Sequence, residues 1–237
     1  MQSIRNITQQ LNETLSKIDF GAIWQSFSHS EYTPQLVACS ENPDDTDLER
    51  SASVAVGQMF RAFQLHNGET RFVSDAALAS YPHDLDNYQL KHAENFYLTK
   101  AFAENSMLAL EQFATIRKIR HRIIGESTLQ LEMLAETAVG MAEYAALMAL
   151  NQLSRSKFVE DADNHMIKLR DPQILMNPPL IALSTGCMVC LAMKSIGIDF
   201  HHAFNDTRSL FEFVPHNVNI VEEQFLKHHN SAIMNGE

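Results

Sequence analysis

The chain has 237 residues and a formal net charge of −11, with 45% apolar and 20% charged residues. That acidity argues against nucleic acid and against anionic lipid as partners, because their phosphates call for a basic surface. The composition is globular rather than disordered, and with only 8 Gly and 7 Pro it predicts a mainly α, single-domain multi-helix bundle over residues 1–237 with little or no β-sheet.

Ile4, Ile7, Leu11, Leu15 and Ile18 fall on one side of a first helix over residues 4–18. Residues 19–27 carry Phe20, Ile23, Trp24 and Phe27, an aromatic anchor segment. The stretch 28–47 is polar, is broken by Pro34 and Pro43, and reads as a loop. Asp44, Asp45 and Asp47 at its end signal a helix start. A second helix over 47–65 follows, with Gly68 placed to cap it. Residues 73–80 form a short helix before Tyr81 and Pro82. From His83 to Arg122 there is neither Gly nor Pro, which predicts one long helical stretch.

The helix over 127–153 is apolar almost all round and is therefore expected at the centre. Residues 161–171 read as a further helix and linker, and 172–179 as a Pro-containing linker with Pro172, Pro178 and Pro179. An apolar helix then runs over 180–196 and stops at Gly197. Residues 200–213 hold short elements. A last amphipathic helix over 219–230 turns Val221, Phe225 and Leu226 inward.

Three cysteines, Cys39, Cys187 and Cys190, make no disulfide framework. Cys187 and Cys190 sit inside the apolar run, where they read as small core hydrophobes rather than a redox pair. The N-terminal residues carry no apolar signal-like region, and Ser184, Thr185 and Lys194 interrupt the most apolar run, so a cytoplasmic protein is expected. Of the eleven histidines, His92 and His121 have no second ligand four residues on, and the adjacent pairs His201–His202 and His228–His229 point apart, so surface histidines are the reading. Ser184, Thr185 and Gly186 lack the elbow motif of a hydrolase nucleophile. Arg117, Lys118, Arg120 and Arg122 read as one basic, solvated helix face.

Two stretches carry the functional signal. Val56, Met59, Phe60 and Phe63 lie at i, i+3, i+4 and i+7, the spacing of a buried helix face. Beside them Gly57, Gln58 and Arg61 stand at the offsets of His, Glu and His in HExxH, where two His one turn apart grip an ion and the Glu is the base. In the helix over 127–153, Glu132, Glu136 and Glu143 fall within ~40° of one another at 100° per residue, a stripe that reads as a solvent face before a metal site.

The string from Glu136 to Tyr144 resembles the EG-x-AEY segment of gluzincins, zinc metallopeptidases whose third metal ligand is the Glu before the Gly. Gly140, Ala142, Glu143 and Tyr144 match that pattern, and Val139 stands at the ligand position. The stretch from Ala52 to Gln64, with Gly68 to Phe72, Tyr81–Pro82, Asn87–Tyr88 and Lys91 to Asn95, is similar to a bacterial gluzincin-like group that carries HEMFHAFQ where this chain has Gly57 to Gln64. The resemblance extends over most of the chain, and it implies a helical frame resembling the helical part of a gluzincin. Such proteins hold a small β region where this chain has only the loop 28–47, which implies that the sheet is cut away.

Residue by residue, the resemblance implies lost chemistry. Gly57 has no side chain to donate, Gln58 takes no proton from water, Arg61 repels zinc, and Val139 offers no lone pair. No cofactor is expected, the zinc site being lost. Arg61 either reaches solvent or bridges to Glu136 or Glu143 where zinc would sit; an unpaired charge inside would be costly. The expectation is a pseudopeptidase with a peptide- or protein-binding groove, in which Arg61, Glu136, Glu143 and Tyr144 are the pocket or bridge residues. The alternatives are a hydrolase with a metal relocated to the Glu132, Glu136 and Glu143 stripe, and a purely structural helical protein, with homo-oligomers open in either case.

Overall fold

The computed structural model describes residues 2–28, 47–79, 81–82, 85–201 and 207–215. The loop expected between residues 28 and 47, Cys39, His202, the pair His228–His229 and the helix expected at 219–230 lie outside them. The described chain forms α1 (Gln2–Leu15), α2 (Phe20–Ile23), α3 (Leu48–His66), α4 (Asp75–Leu78), α5 (Leu85–Ala103), α6 (Met107–Ile124), α7 (Glu126–Leu153), α8 (Arg155–Lys168) and α9 (Pro178–Ile196). A 3-10 turn at Leu210–Phe213 follows. No strand occurs among the described residues, and the mainly α expectation holds.

Local chemistry sets the helix ends. Asp47 caps α3 by accepting from the Arg50 backbone N–H at 3.2 Å. Gly68, at φ 80°, ends the same helix. The Gly68 N–H bonds back to Leu65 and the Glu69 N–H to Gln64, the paired bonds of a Schellman cap. The long helix expected over 83–122 is in fact two, α5 and α6. The break is Asn105 at φ 51°, a left-handed conformation that Asn tolerates better than most residues, followed by Ser106, which caps α6 through the Ala109 N–H. Helix α8 starts at Arg155 rather than 161, behind Ser154, which makes no side-chain cap bond that would mark the start.

Helix α7 is the centre, packing most extensively on α9 and next on α3. The expected face of α3 is the buried one, with Val56, Met59, Phe60 and Phe63 all in the core. The aromatic segment closes over it: Trp24 and Phe27 meet Phe60 edge-on with ring centroids 5.3 and 5.1 Å apart. Cys187 and Cys190 are free and buried in α9, and burial holds both thiols well above their ordinary pKa, so they are inert packing groups. By length and composition alone α7 and α9 could cross a membrane, yet most of the apolar window of each is buried inside the bundle.

The α7–α9 crossing depends on two glycines. A Cβ on Gly186 would lie 1.9 Å from the Glu136 carbonyl oxygen, and one on Gly140 would lie 2.4 Å from the Gly186 backbone. Both obstacles are backbone, so a methyl group is admitted only if the helices separate. We predict that Gly186→Ala lowers stability by about 3 kcal/mol or more, at the upper end of overpacking effects. Urea unfolding at unchanged m value measures it, and a loss below 1 kcal/mol, on the order of a surface change, would show that the helices part easily.

Candidate functional site

Gly57, Gln58, Arg61 and Val139, the positions that the resemblance aligns with zinc ligands and base, do not converge on either surface cavity. Gln58 and Arg61 are exposed, Gly57 and Val139 half-buried. Helices α3 and α7 run antiparallel: Ser53 donates to the Ala146 carbonyl at 2.8 Å and Gln64 to that of Ala138 at 2.9 Å. Gly57 lies in this seam, where a Cβ would stand 3.2 Å from the Ala146 Cβ and 3.4 Å from the Ala142 oxygen. Val139 packs instead in a small apolar group with Leu78, Ala135 and Ala182. The Arg61 guanidinium stacks on the Phe72 ring at 5.0 Å, and no ion pair joins it to a carboxylate among the described residues. The Arg61 bridge is therefore corrected, because Glu136 and Glu143 have other partners.

Those partners define the site. The basic patch expected on a solvated face is split: Lys118 and Arg122 are exposed, while Arg117 and Arg120 are buried. Likewise Glu132 and Glu136 do not face solvent but are 1% and 3% exposed. With Lys91 and Glu94 of α5 they form a buried core of three cations and three carboxylates. Arg117 and Arg120 lie on the α6 face that carries Leu110 and Phe113, and Lys91 and Glu94 are one turn apart on α5.

Each guanidinium spans two carboxylates. Arg117 contacts Glu136 through both terminal nitrogens, the Nη2–Oε1 distance being 3.0 Å, and reaches Glu94 Oε1 from Nε at 3.1 Å. Its outer face lies over the rings of Phe113 and Phe211, at 4.8 and 5.5 Å. Arg120 donates to Glu94 Oε2 at 2.6 Å, to Glu132 Oε2 at 2.7 Å, and from Nε to the Asn87 Oδ1 at 3.0 Å. Tyr81 closes the end: it receives a bond from Arg120 and donates to Glu132 Oε2 at 2.8 Å. Lys91 Nζ lies 2.5 Å from Glu132 Oε1 and 3.3 Å from both Glu94 Oε1 and Glu136 Oε1. Every carboxylate oxygen has a donor, and every cation more than one acceptor.

The titration behaviour follows. Burial alone would push all three glutamates up. In Glu94 the pull of Arg117, Arg120 and Lys91 outweighs burial and lowers the carboxyl to about 2. Glu132 is likewise held well below the ordinary range, against burial, by Arg120 and Lys91. For Glu136 burial prevails over Arg117 and Lys91, and its pKa is raised. Burial also raises Tyr81, with Glu132 adding to it, so the phenol stays a donor.

Glu143, the third member of the expected stripe, turns elsewhere. His165 Nε2 lies 3.0 Å from Glu143 Oε1 and His165 Nδ1 lies 3.0 Å from Ser184 Oγ. A carboxylate only accepts, so the ring donates to Glu143 through Nε2, and Nδ1 shares a hydrogen bond with the Ser184 hydroxyl. This chain ties α8 to α7 and α9, but Ser184 is 1% exposed in the interior of α9, closed to any substrate. His165 is buried, against the expectation of surface histidines, whereas His92 and His121 are exposed as expected. The matching residue Tyr144 is fully buried against the Phe200 ring, and its hydroxyl lacks a partner among the described residues. Two surface cavities, of about 550 and 360 Å³, are lined respectively by residues such as Lys194 and His201 and by residues such as Asp47 and Lys157; neither touches Gln58, Arg61 or Glu136.

Among the described residues, the potential metal-binding group is Glu94, Glu132 and Glu136, not the stripe with Glu143. No metal ion need be invoked to neutralise it, since three cations already do so.

Two predictions follow from this geometry. Arg120→Met leaves buried carboxylates uncompensated and is expected to lower stability by about 3–5 kcal/mol in urea unfolding. A loss below ~1 kcal/mol, the scale of an exposed pair, would place the guanidinium in water. For pH, Glu136 takes up a proton more readily folded than unfolded, so its protonation on acidification favours the fold. Glu94 and Glu132 have the opposite sign, contributing stability above their unfolded pKa that is lost as pH falls through the folded one. Thermal melts should therefore change little down to pH 4.5 and fall steeply between pH 4.5 and about 2. A steep fall already complete by about pH 5 would sink this assignment of charges.

No protein-family model matches this chain, and neither a curated protein nor a solved structure shows significant similarity to it.

Proposed function

We propose that the chain is a non-enzymatic, pseudopeptidase-like helical protein, a gluzincin-like frame that works as a scaffold or binding surface without metal chemistry. One observation carries the reading: at Gly57, the position of the first zinc-binding histidine, the α3–α7 seam is closed around a missing side chain. An imidazole and an ion need several ångströms where a single methyl group is already tight. The outward placement of Gln58 and Arg61 supports the same reading.

The two cavities lie away from Gln58, Arg61 and Glu136, which favours the scaffold form of this reading over a retained groove. A partner would meet the outer face of α3, where Val54 and Leu65 stand 50% and 59% exposed on either side of Gln58 and Arg61. The cytoplasmic setting belongs to the proposal too; in the bundle α7 and α9 serve as core helices, most of the apolar window of each being buried.

The test is metal analysis of the purified protein together with a peptide-library cleavage assay. Zinc far below one ion per chain and no chelator-sensitive cleavage are expected; stoichiometric zinc with cleavage abolished by chelator would overturn the proposal. Separately, Gly57→His should lower stability by about 1–3 kcal/mol through overpacking, and neutral or increased stability in urea unfolding would show that the seam does hold room for a ligand.

A further inference from the structure

Lys91 alone among the three core cations touches all three carboxylates. One oxygen from each of Glu94, Glu132 and Glu136 lies within 4.8 Å of the others, close enough for a shared cation. In this structure the cation is the Lys91 ammonium, 1% exposed, with one contact to each carboxylate at 2.5, 3.3 and 3.3 Å. An ammonium has three N–H donors and no acceptor. Here the three donors match three separate side chains, as in a bound ligand rather than an ordinary ion pair.

We propose that this is a primary-ammonium site whose built-in occupant is Lys91, and that this occupancy closes the three-carboxylate cluster to soluble metal ions. Charge specifies the occupant. Without Lys91, three carboxylates face two guanidiniums and one negative charge is left. A monovalent ammonium neutralises it, whereas a divalent metal overshoots and would also sit beside Arg117 and Arg120. The inference rests on the geometry of the core alone and stands or falls independently of any relation to peptidases.

Lys91→Ala removes three carbons and the nitrogen, the heavy atoms of n-propylammonium. The full-length variant is refolded with n-propylammonium, with manganese(II), or with neither, and its melting followed by circular dichroism. At about ten times its Kd the amine should raise the melting temperature by roughly 3–6 °C. Manganese should give no shift, and neither additive should act on the wild type. Lys91→Met fills the space without the charge and should be less stable than wild type and insensitive to both additives. If Lys91→Ala does not fold alone, cooperative unfolding is expected to return only with the amine. No response to the amine, an equal response in Lys91→Met, or stoichiometric manganese uptake by the wild type would each overturn the proposal. A manganese shift without an amine shift in Lys91→Ala would also overturn it, making the cluster a metal site.

Discussion

Six charges enclosed away from water can coexist only if each finds its counter-charge and its hydrogen bonds inside the protein, because an ion stripped of solvent and left unpaired costs several kcal/mol. That constraint sets the position of the α5–α6 hairpin on α7. The hairpin's own apolar seam is a small group, Leu90, Ala93, Ile116 and Ile119, set apart from the main core. Farther along, Leu98, Leu110 and Phe113 join the main core, and beside them Lys91, Glu94, Arg117 and Arg120 meeting Glu132 and Glu136 hold the hairpin in register against α7. Slide α6 by one turn and Arg117 faces the wrong carboxylate while Arg120 loses Asn87 and Tyr81. A well-packed apolar core of the same volume is often equally stable; the charged one is more demanding about geometry.

The other faces of α7 use different chemistry. Toward α9 it depends on shape, with Gly140 against Gly186 allowing the backbones to touch. Toward α3 it combines small residues with two side-chain bonds from Ser53 and Gln64. Toward α8 it offers Glu143 to His165. A helix apolar nearly all round is thus central for more than one reason: its Glu132 and Glu136 turn to the α5–α6 hairpin and its Glu143 to α8.

How much of this was legible follows from what a single helix can reveal. The buried face of α3, the cap at Gly68, the end of α9 at Gly197 and the core role of Cys187 and Cys190 are local, and local pattern gives them. Arg117 and Arg120 were misread because two basic residues three apart look alike on a wet face and on a dry one. The available signal was their position: Leu110, Phe113, Arg117 and Arg120 continue one stripe, as Asn87, Lys91, Glu94 and Leu98 do on α5. Charges of both signs interrupting apolar stripes on successive helices imply one shared interior, but only when the stripes are compared. The Asn105–Ser106 break was missed for a simpler reason, since neither residue is a strong breaker and the left-handed turn belongs to the backbone. The His165 bonds join residues nineteen and twenty-two positions apart on three helices, beyond the reach of spacing rules.

A metal centre and an ion-paired core answer the same electrostatic demand, the neutralisation of carboxylates buried between helices. They differ in whether the counter-charge can leave. A bound metal makes the fold depend on metal supply, on chelators and on the protonation of its ligands. Lysine and arginine are part of the chain, so their charge arrives with folding and cannot be exchanged. They also use the acceptor positions that a metal would need, and they leave no open coordination site for water or substrate. With Lys91 at the meeting point of Glu94, Glu132 and Glu136, the carboxylate group that could hold a metal among the described residues is committed to internal charge. The ion-paired core is thus a fixed part of the fold rather than an exchangeable centre.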